Sequence, residues 1–208
     1  MGRKIYFTRH GETEDNVIAR LSTNPPGPNL TALGRKQAEE LRDNMKNIKI
    51  SKIYVSPLKR AVETATILNK NYNVEIIKDE RIAELLVGDK EGRNDSGVFE
   101  ELEDVWKAWS LENKLDMLAG KGGDSANTVI DRCNSFLKDL FNSDEDEPIL
   151  VVAHSGVLQL FIGHLCANME PIFCYENYLR NCQLVETEIH NGKLLCLKWG
   201  DVSFDVND

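Results

Sequence analysis

No Cys-x-x-C pair occurs in this sequence, and its five cysteines, Cys133, Cys166, Cys174, Cys182 and Cys196, are odd in number. That argues against a disulfide framework and against a zinc site, and leaves reduced thiols in a cytosolic protein as the expectation. No apolar run is long enough to span a membrane. No apolar stretch precedes the strand-like residues that begin at Lys4, so a signal peptide is not expected. Nor does the Met1-Gly2 start make a myristoylation signal, because Tyr6 stands where that motif takes serine or threonine. Positive charge is also short: 25 Lys and Arg face 34 Asp and Glu, for a net charge of -9. So acidic a chain is a poor general binder of nucleic acid or anionic membrane. Any anion it holds must be drawn by a local cluster of Arg, Lys or His, which makes the position of each arginine informative. There is no internal repeat and no low-complexity linker.

What is present suits a soluble globular chain. Its 208 residues fit one domain, 41% hydrophobic and 28% charged, with enough apolar material for a sizeable core. "KIYFT", "SKIYVS", "NVEII" and "ILVVA" read as strands, the last buried on both faces because its apolar run is unbroken. "TNPPGPN" is a loop, and Thr31 is placed to cap a helix with Leu33, Ala38, Leu41 and Met45 on its inner face. Pro57 sits where the first turn of the next helix is expected. Asp124 or Ser125 can cap a helix through "ANTVIDRCNSFLKDLF", and "SGVLQLFIGHLC" reads as a buried helix. The acidic run at 143–148 reads as a solvated turn. "QLVETEIHNGKLLCLKW" is a hairpin around Asn191-Gly192. Strands alternating with helices predict an α/β fold: a three-layer sandwich with a mainly parallel sheet flanked by helices, one domain over 1–208. Residues 86–123 are expected to form a small helical cap insertion.

Ligands of an open α/β sheet bind beyond the carboxyl ends of its strands. Polar residues stand there four times: Arg9 and His10; Ser56 and, one turn on, Arg60; Glu84; and His154 with Ser155. Singly, each has a structural reading as a surface ion pair or a hydrogen-bonded side chain. Together they suit phosphoryl transfer. Two arginines can grip a phosphate monoester of about two negative charges. An imidazole can attack phosphorus, and Glu84 can protonate the leaving alcohol and then take a proton from water. His164, in a helix, and His190, beside a turn, read as structural or surface residues.

"TRHGETEDN", "NLTALGRKQA", "YVSPLKRAVETA", "IAELLVGDKEGR", "GGDS" and "VVAHSGVL" resemble, in order, the histidine phosphatase superfamily, also called the phosphoglycerate mutase-like family. The resemblance covers roughly three quarters of the chain, from the first strand to the helix after His154. It implies that His10 is the phosphorylated nucleophile, that Arg9, Arg60 and His154 complete the phosphate pocket, and that Glu84 is the proton donor. Asn16 and Thr64 match lesser positions near the phosphate. The chain departs from the family at Asp15, at "GPNLT" and at Lys90-Glu91-Gly92, all expected around the pocket rim. Gly11 is expected to let the backbone turn away without a side chain in the pocket.

The first functional expectation is a metal-independent, cytoplasmic phosphomonoester hydrolase acting on a small phosphorylated metabolite, with no cofactor, no nucleic-acid or membrane partner, and a monomeric or homodimeric state. A cofactor-dependent phosphoglycerate mutase is the second, and a silent binder of phosphorylated ligands the third. Mutases resemble longer chains and need extra cations for a second phosphate and a carboxylate, whereas acids outnumber cations in 86–123. Phe99, Leu102, Val105, Trp106 and Trp109 form one helical stripe in that segment. Packing is its expected main role, so that Trp106→Ala mainly destabilises. Arg93 and Lys107 are expected as anion contacts at its pocket end, with Ser155 also touching substrate.

Overall fold

Every residue of the strand Ile149–Ala153 is buried, because helices cover it on both faces. The computed structural model describes residues 2–143 and 147–205, so the middle of the solvated turn expected at 143–148 lies outside the described residues. In chain order the elements are β1 (Arg3–Arg9), α1 (Glu14–Val17), α2 (Ala32–Asn44), β2 (Lys52–Val55), α3 (Lys59–Leu68), β3 (Glu75–Lys78), α4 (Ser96–Ser110), α5 (Ala126–Phe141), β4 (Ile149–Ala153), α6 (Ser155–Leu165), α7 (Pro171–Glu176), β5 (Leu184–His190), β6 (Lys193–Trp199) and β7 (Val202–Ser203). The described residues form a seven-stranded sheet in the order β3-β2-β4-β1-β5-β6-β7. β3, β2, β4 and β1 run parallel, and β5 to β7 add an antiparallel ribbon.

Side chains of a strand alternate between faces, and here the alternation divides the core. Ile5, Phe7, Ile149, Val151 and Ala153 pack with Phe136 and Leu137 of α5 and Leu158 and Phe161 of α6. Tyr6, Leu150 and Val152 pack on the other face with Ala38 and Leu41 of α2 and Ala61 and Ala65 of α3. The result is the expected helix–sheet–helix sandwich with a mostly parallel sheet. Asn191 and Gly192 take φ of 51° and 73°, the left-handed pair that a two-residue hairpin turn requires. Thr31 caps α2 through Gly34, and Ser125 rather than Asp124 caps α5 through Thr128.

Two local expectations are corrected. Leu33 is 51% exposed, and Gly34 takes its place on the inner face of α2. The reason is a close crossing: a Cβ on Gly34 would collide with the Glu12 backbone, and one on Gly11 with the carbonyl oxygen of Gly34. Gly11 is thus required by the packing of α2 against it. Pro57 lies outside α3, which starts at Lys59 because Leu58 is still extended at ψ 139°. All five cysteines are buried, and burial pushes the thiols of Cys133, Cys174, Cys182 and Cys196 up to about 12. Among the described residues no helix is long and apolar enough to cross a membrane.

Candidate active site

β4 lies between β1 and β2, and the register sets Arg9 against Ala153 and Val55 against Val152. Three parallel strands therefore stop at one level. Pairing runs one residue further, with the His10 N–H donating to the Ala153 carbonyl (3.1 Å) and the Ser56 N–H to that of Val152 (3.0 Å). His10, Ser56 and His154 emerge side by side as a result, and Arg60 joins them from the first turn of α3. Glu84 comes by a longer route. β3 is the edge strand, and a turn at Glu80–Ile82, anchored by buried Ile82, sends the chain back over the sheet. α6 has no side-chain cap of its own at His154. Its free amides are taken by Glu84: the Val157 N–H donates to Oε1 at 2.9 Å and the Gly156 N–H to Oε2 at 3.3 Å. Gly156 permits this approach, since a Cβ there would lie 2.5 Å from Leu85 Cδ2 and 2.8 Å from Glu84 Oε1.

The hydrogen bonds of His10 select one tautomer. Its Nδ1 lies 2.7 Å from the Gly11 carbonyl oxygen, which can only accept, so Nδ1 carries the proton. Arg60 Nε donates to Nε2 at 3.0 Å, so Nε2 presents its lone pair. Burial first, then Arg60 and Arg9, hold the imidazole well below its ordinary 6.5. His154 is fully buried beside it, the ring centroids 5.1 Å apart, and is lowered by burial, Arg60 and His10; its Nε2 shares a 2.6 Å bond with Ser56 Oγ.

Three polar atoms here are buried with no hydrogen-bond partner among the described residues: Arg9 Nε, Arg60 Nη1 and His154 Nδ1. Each unmade bond costs about 1–3 kcal/mol. Arg9 is otherwise held, its Nη1 donating to the Leu179 carbonyl (3.1 Å) and its guanidinium lying 5.0 Å from the centre of the Tyr178 ring. Burial lowers Arg60 and the neighbouring Arg9 adds to it, opposed by Glu84. Arg9, Arg60 and the neutral His10 border a cavity of about 140 Å³, which Asp15, Asn16, Arg20, Glu84 and Tyr178 also line. This suits an anion of about two charges with several acceptor oxygens. Among the described residues no three His, Cys, Asp or Glu side chains are grouped to hold a metal ion.

The two lowered histidines give a stability signature. Folded, both stay neutral well below 6.5; unfolded, both protonate near it. As pH falls through 6.5 the unfolded chain binds protons that the folded chain refuses. Stability therefore falls, by up to about 1.4 kcal/mol per pH unit for each histidine. Thermal melts from pH 7.5 to 5 should show a declining Tm, with a shallower slope for His154→Gln. An unchanged slope in that variant would count against a neutral buried His154.

Residues 5–202 match the model of the histidine phosphatase superfamily (branch 1). This chain belongs to that superfamily. Among curated relatives, phosphoglycerate mutase-like protein 4 of Arabidopsis thaliana is 30% identical over 96% of this chain and 86% of its own length. Among solved structures, phosphoserine phosphatase of Entamoeba histolytica in complex with 3-phosphoglyceric acid is 27% identical with a TM-score of 0.79, covering 96% of this chain and 98% of that one. Bacillus stearothermophilus YhfR is 26% identical with a TM-score of 0.81, covering 97% and 98%. The superfamily thus includes relatives named as mutase-like and as phosphatase.

Of the residues expected in the site, Arg9, His10, Arg60 and Glu84 border the cavity, and the His154 ring lies beside that of His10 without bordering it. Asn16 and Ser155 also border it; Asn16 Oδ1 accepts from the Thr13 N–H (3.2 Å), and Ser155 Oγ donates to Gln159 Oε1 (3.2 Å). Thr64 does not reach it. Fully buried, its hydroxyl donates to the Arg60 carbonyl (2.8 Å) and accepts the Gly11 N–H (3.0 Å), tying the Arg60 turn to the His10 loop. Arg93 is corrected as a substrate contact. Its guanidinium is held by Asp95 (2.8 Å) and Glu101 (3.2 Å), carboxylates at the start of α4, and it does not border the cavity. Lys107 is likewise taken by Glu103 at 2.6 Å.

Some site residues have no local signature in the sequence. Tyr178 reaches Arg9 from the loop after α7. Arg20 borders the cavity paired to Asp15 at 3.5 Å. Thr23 is fixed by Glu91, which accepts its hydroxyl (2.6 Å) and its N–H (3.0 Å). Asn181 donates to the His10 carbonyl (2.9 Å) from the loop before β5. Of these, Asp15 and Glu91 stand at positions of departure from the family, the one signal the sequence offered for them.

Proposed function

We propose that this chain is a phosphomonoester hydrolase of small phosphorylated metabolites that works through a phosphohistidine on His10. The observation that supports this most is the set of three unpartnered buried nitrogens, two of them guanidinium donors, gathered around a neutral imidazole whose Nε2 carries the lone pair. Arg9, Arg60 and His154 receive the phosphoryl oxygens as the Nε2 lone pair attacks phosphorus. Arg60 Nε–H shifts from His10 to a phosphoryl oxygen, and the ester P–O bond breaks. Glu84, protonated at Oε2, gives its proton to the leaving oxygen. Oε2 suits that role because Oε1 already accepts two amides at 2.9 and 3.0 Å, whereas Oε2 has one at 3.3 Å. The carboxylate then takes a proton from water, whose oxygen attacks phosphorus and breaks the P–N bond. Phosphate leaves and His10 is again neutral. The arginines supply the charge stabilisation that this transition state needs, so no metal enters the reading.

The test is phosphate release from a panel of phosphorylated metabolites in excess chelator. Full activity is expected; activity that disappears and returns with magnesium or zinc would sink the mechanism. Glu84→Gln should slow alkyl phosphates by about 10²–10⁴-fold and aryl phosphates much less, since a phenolate leaves with little help. Equal losses on both would remove Glu84 as the acid. A mutase reading draws support from the name of the Arabidopsis thaliana relative. It requires cations for a second anion, and beyond Arg9 and Arg60 the cavity offers Arg20, already paired with Asp15. Interconversion of phosphoglycerates faster than phosphate release would favour it.

A further inference from the structure

The phosphate cavity does not end at Glu84. Leu21, Thr23, Glu84, Ser155 and Tyr178 also border a second cleft of about 370 Å³. That volume lies within the roughly 300–1,000 Å³ of pockets that bury an organic ligand. Its other walls include Leu85, Val87, Phe99, Leu102, Trp106 and Tyr175. Among the described residues no lysine or arginine borders it, and its charged wall residues are Glu84 and Glu103.

The helix α4 explains how this wall is held open. The stripe expected mainly to pack is divided. Val105 and Trp109 are its anchor, 3% and 1% exposed, with Trp109 Nε1 donating to the Met117 carbonyl at 2.9 Å. Trp106 stands edge-on to Trp109, ring centroids 5.2 Å apart, and both border the cleft with Leu102, Trp109 as its buried floor. Phe99 is 38% exposed, an aromatic face left to water at the cleft's margin. A rigid anchor thus presents an apolar surface beside the reacting phosphate. Tyr178 belongs to both spaces: it lines the cleft and stacks on the Arg9 guanidinium.

We propose, resting on the hydrolase reading, that this cleft takes the leaving group of the ester, and that this group is apolar, ring-bearing and without a second anionic charge. Apolar walls favour such a group in proportion to the area it removes from water. With no cation on its wall, and with Glu84 and a Glu103 already paired to Lys107 as its charged groups, the cleft disfavours a leaving group that carries a carboxylate or phosphate. The aromatic walls Phe99, Trp106, Tyr175 and Tyr178 suit a planar ring, which they can meet edge-on or offset.

The test compares 2-(1-naphthyl)ethyl phosphate, ethyl phosphate and 3-phosphoglycerate. All three release an alkyl alcohol or a hydroxy acid, so ease of leaving does not separate them as it would for a phenol. For the wild-type chain, kcat/KM for the naphthylethyl ester should exceed both others by at least about tenfold, equivalent to about 1.4 kcal/mol. Phe99→Ala should narrow the naphthylethyl-to-ethyl ratio at least about fivefold, and Phe99→Arg should move the ranking toward 3-phosphoglycerate. Phe99 is partly exposed, so both variants are expected to fold, and thermal melts check this. Ethyl phosphate or phosphoglycerate turned over as well as the naphthylethyl ester, or a ranking unmoved by both variants, overturns the inference while leaving hydrolysis intact. Hydrolysis of none of the three, nor of any metabolite in the panel, overturns the hydrolase reading instead. The cleft is then judged by binding: 2-(1-naphthyl)ethylphosphonate should raise Tm more than ethylphosphonate, and equal shifts overturn it.

Discussion

His10→Ala is expected to remove turnover, by roughly 10⁵-fold in kcat, a size typical of losing a covalent nucleophile. With it should go the acid-labile phosphoenzyme trapped by rapid quench from the wild-type chain. The imidazole is suited to this one role. Its proton is committed to the Gly11 carbonyl, its Nε2 is open, and burial with Arg60 and Arg9 keeps it neutral. No other histidine is so placed. His154 has its Nε2 engaged with Ser56 Oγ, and His164 and His190 lie outside the cavity. The variant should still bind phosphate, because Arg9, Arg60 and His154 remain. A phosphohistidine that persists in His10→Ala would show that the nucleophile has been misassigned.

The second large effect is expected at Arg60. Its Nε holds the nucleophile and its Nη1 waits, buried and unpartnered, for an acceptor. Arg60→Met should lower kcat/KM by roughly 10³–10⁵-fold, the range seen when an arginine that stabilises phosphoryl transfer is lost. Arg60→Lys should recover little, since a point charge cannot serve His10 and a phosphoryl oxygen at once. Stability should move the other way. The unliganded site holds Arg9 and Arg60 together with burial and their mutual repulsion lowering Arg60. Removing one buried, incompletely paired cation relieves that, so Arg60→Met should melt no lower than wild type without anion. Inorganic phosphate should raise the wild-type Tm by mass action and the variant's much less. Equal stabilisation of both by phosphate would place the anion elsewhere.

Much of the fold and of the site is legible in the chain itself. The unbroken run "ILVVA" demanded cover on both faces, and α2 and α3 on one side with α5 and α6 on the other provide it. Asn191-Gly192 specified its own turn, because few residues take positive φ cheaply. Arg9, His10, Arg60 and His154 were readable as neighbours because parallel strands in one register end at one level. These features are local, or follow from the periodicity of a strand, so the sequence by itself determined them. Other features were decided by tertiary structure. Arg93 had the right charge in the right segment, yet Asp95 and Glu101 hold it. Gly11 is a glycine because α2 crosses it at Gly34, a constraint that exists only once the helix is docked. Glu84 caps α6 from another part of the chain, and Tyr178 covers Arg9 from a loop near the end. Apart from the local pairing of Arg93, the deciding partner is distant in sequence, and the choice between a contact and an open surface rests on how closely two elements approach after packing.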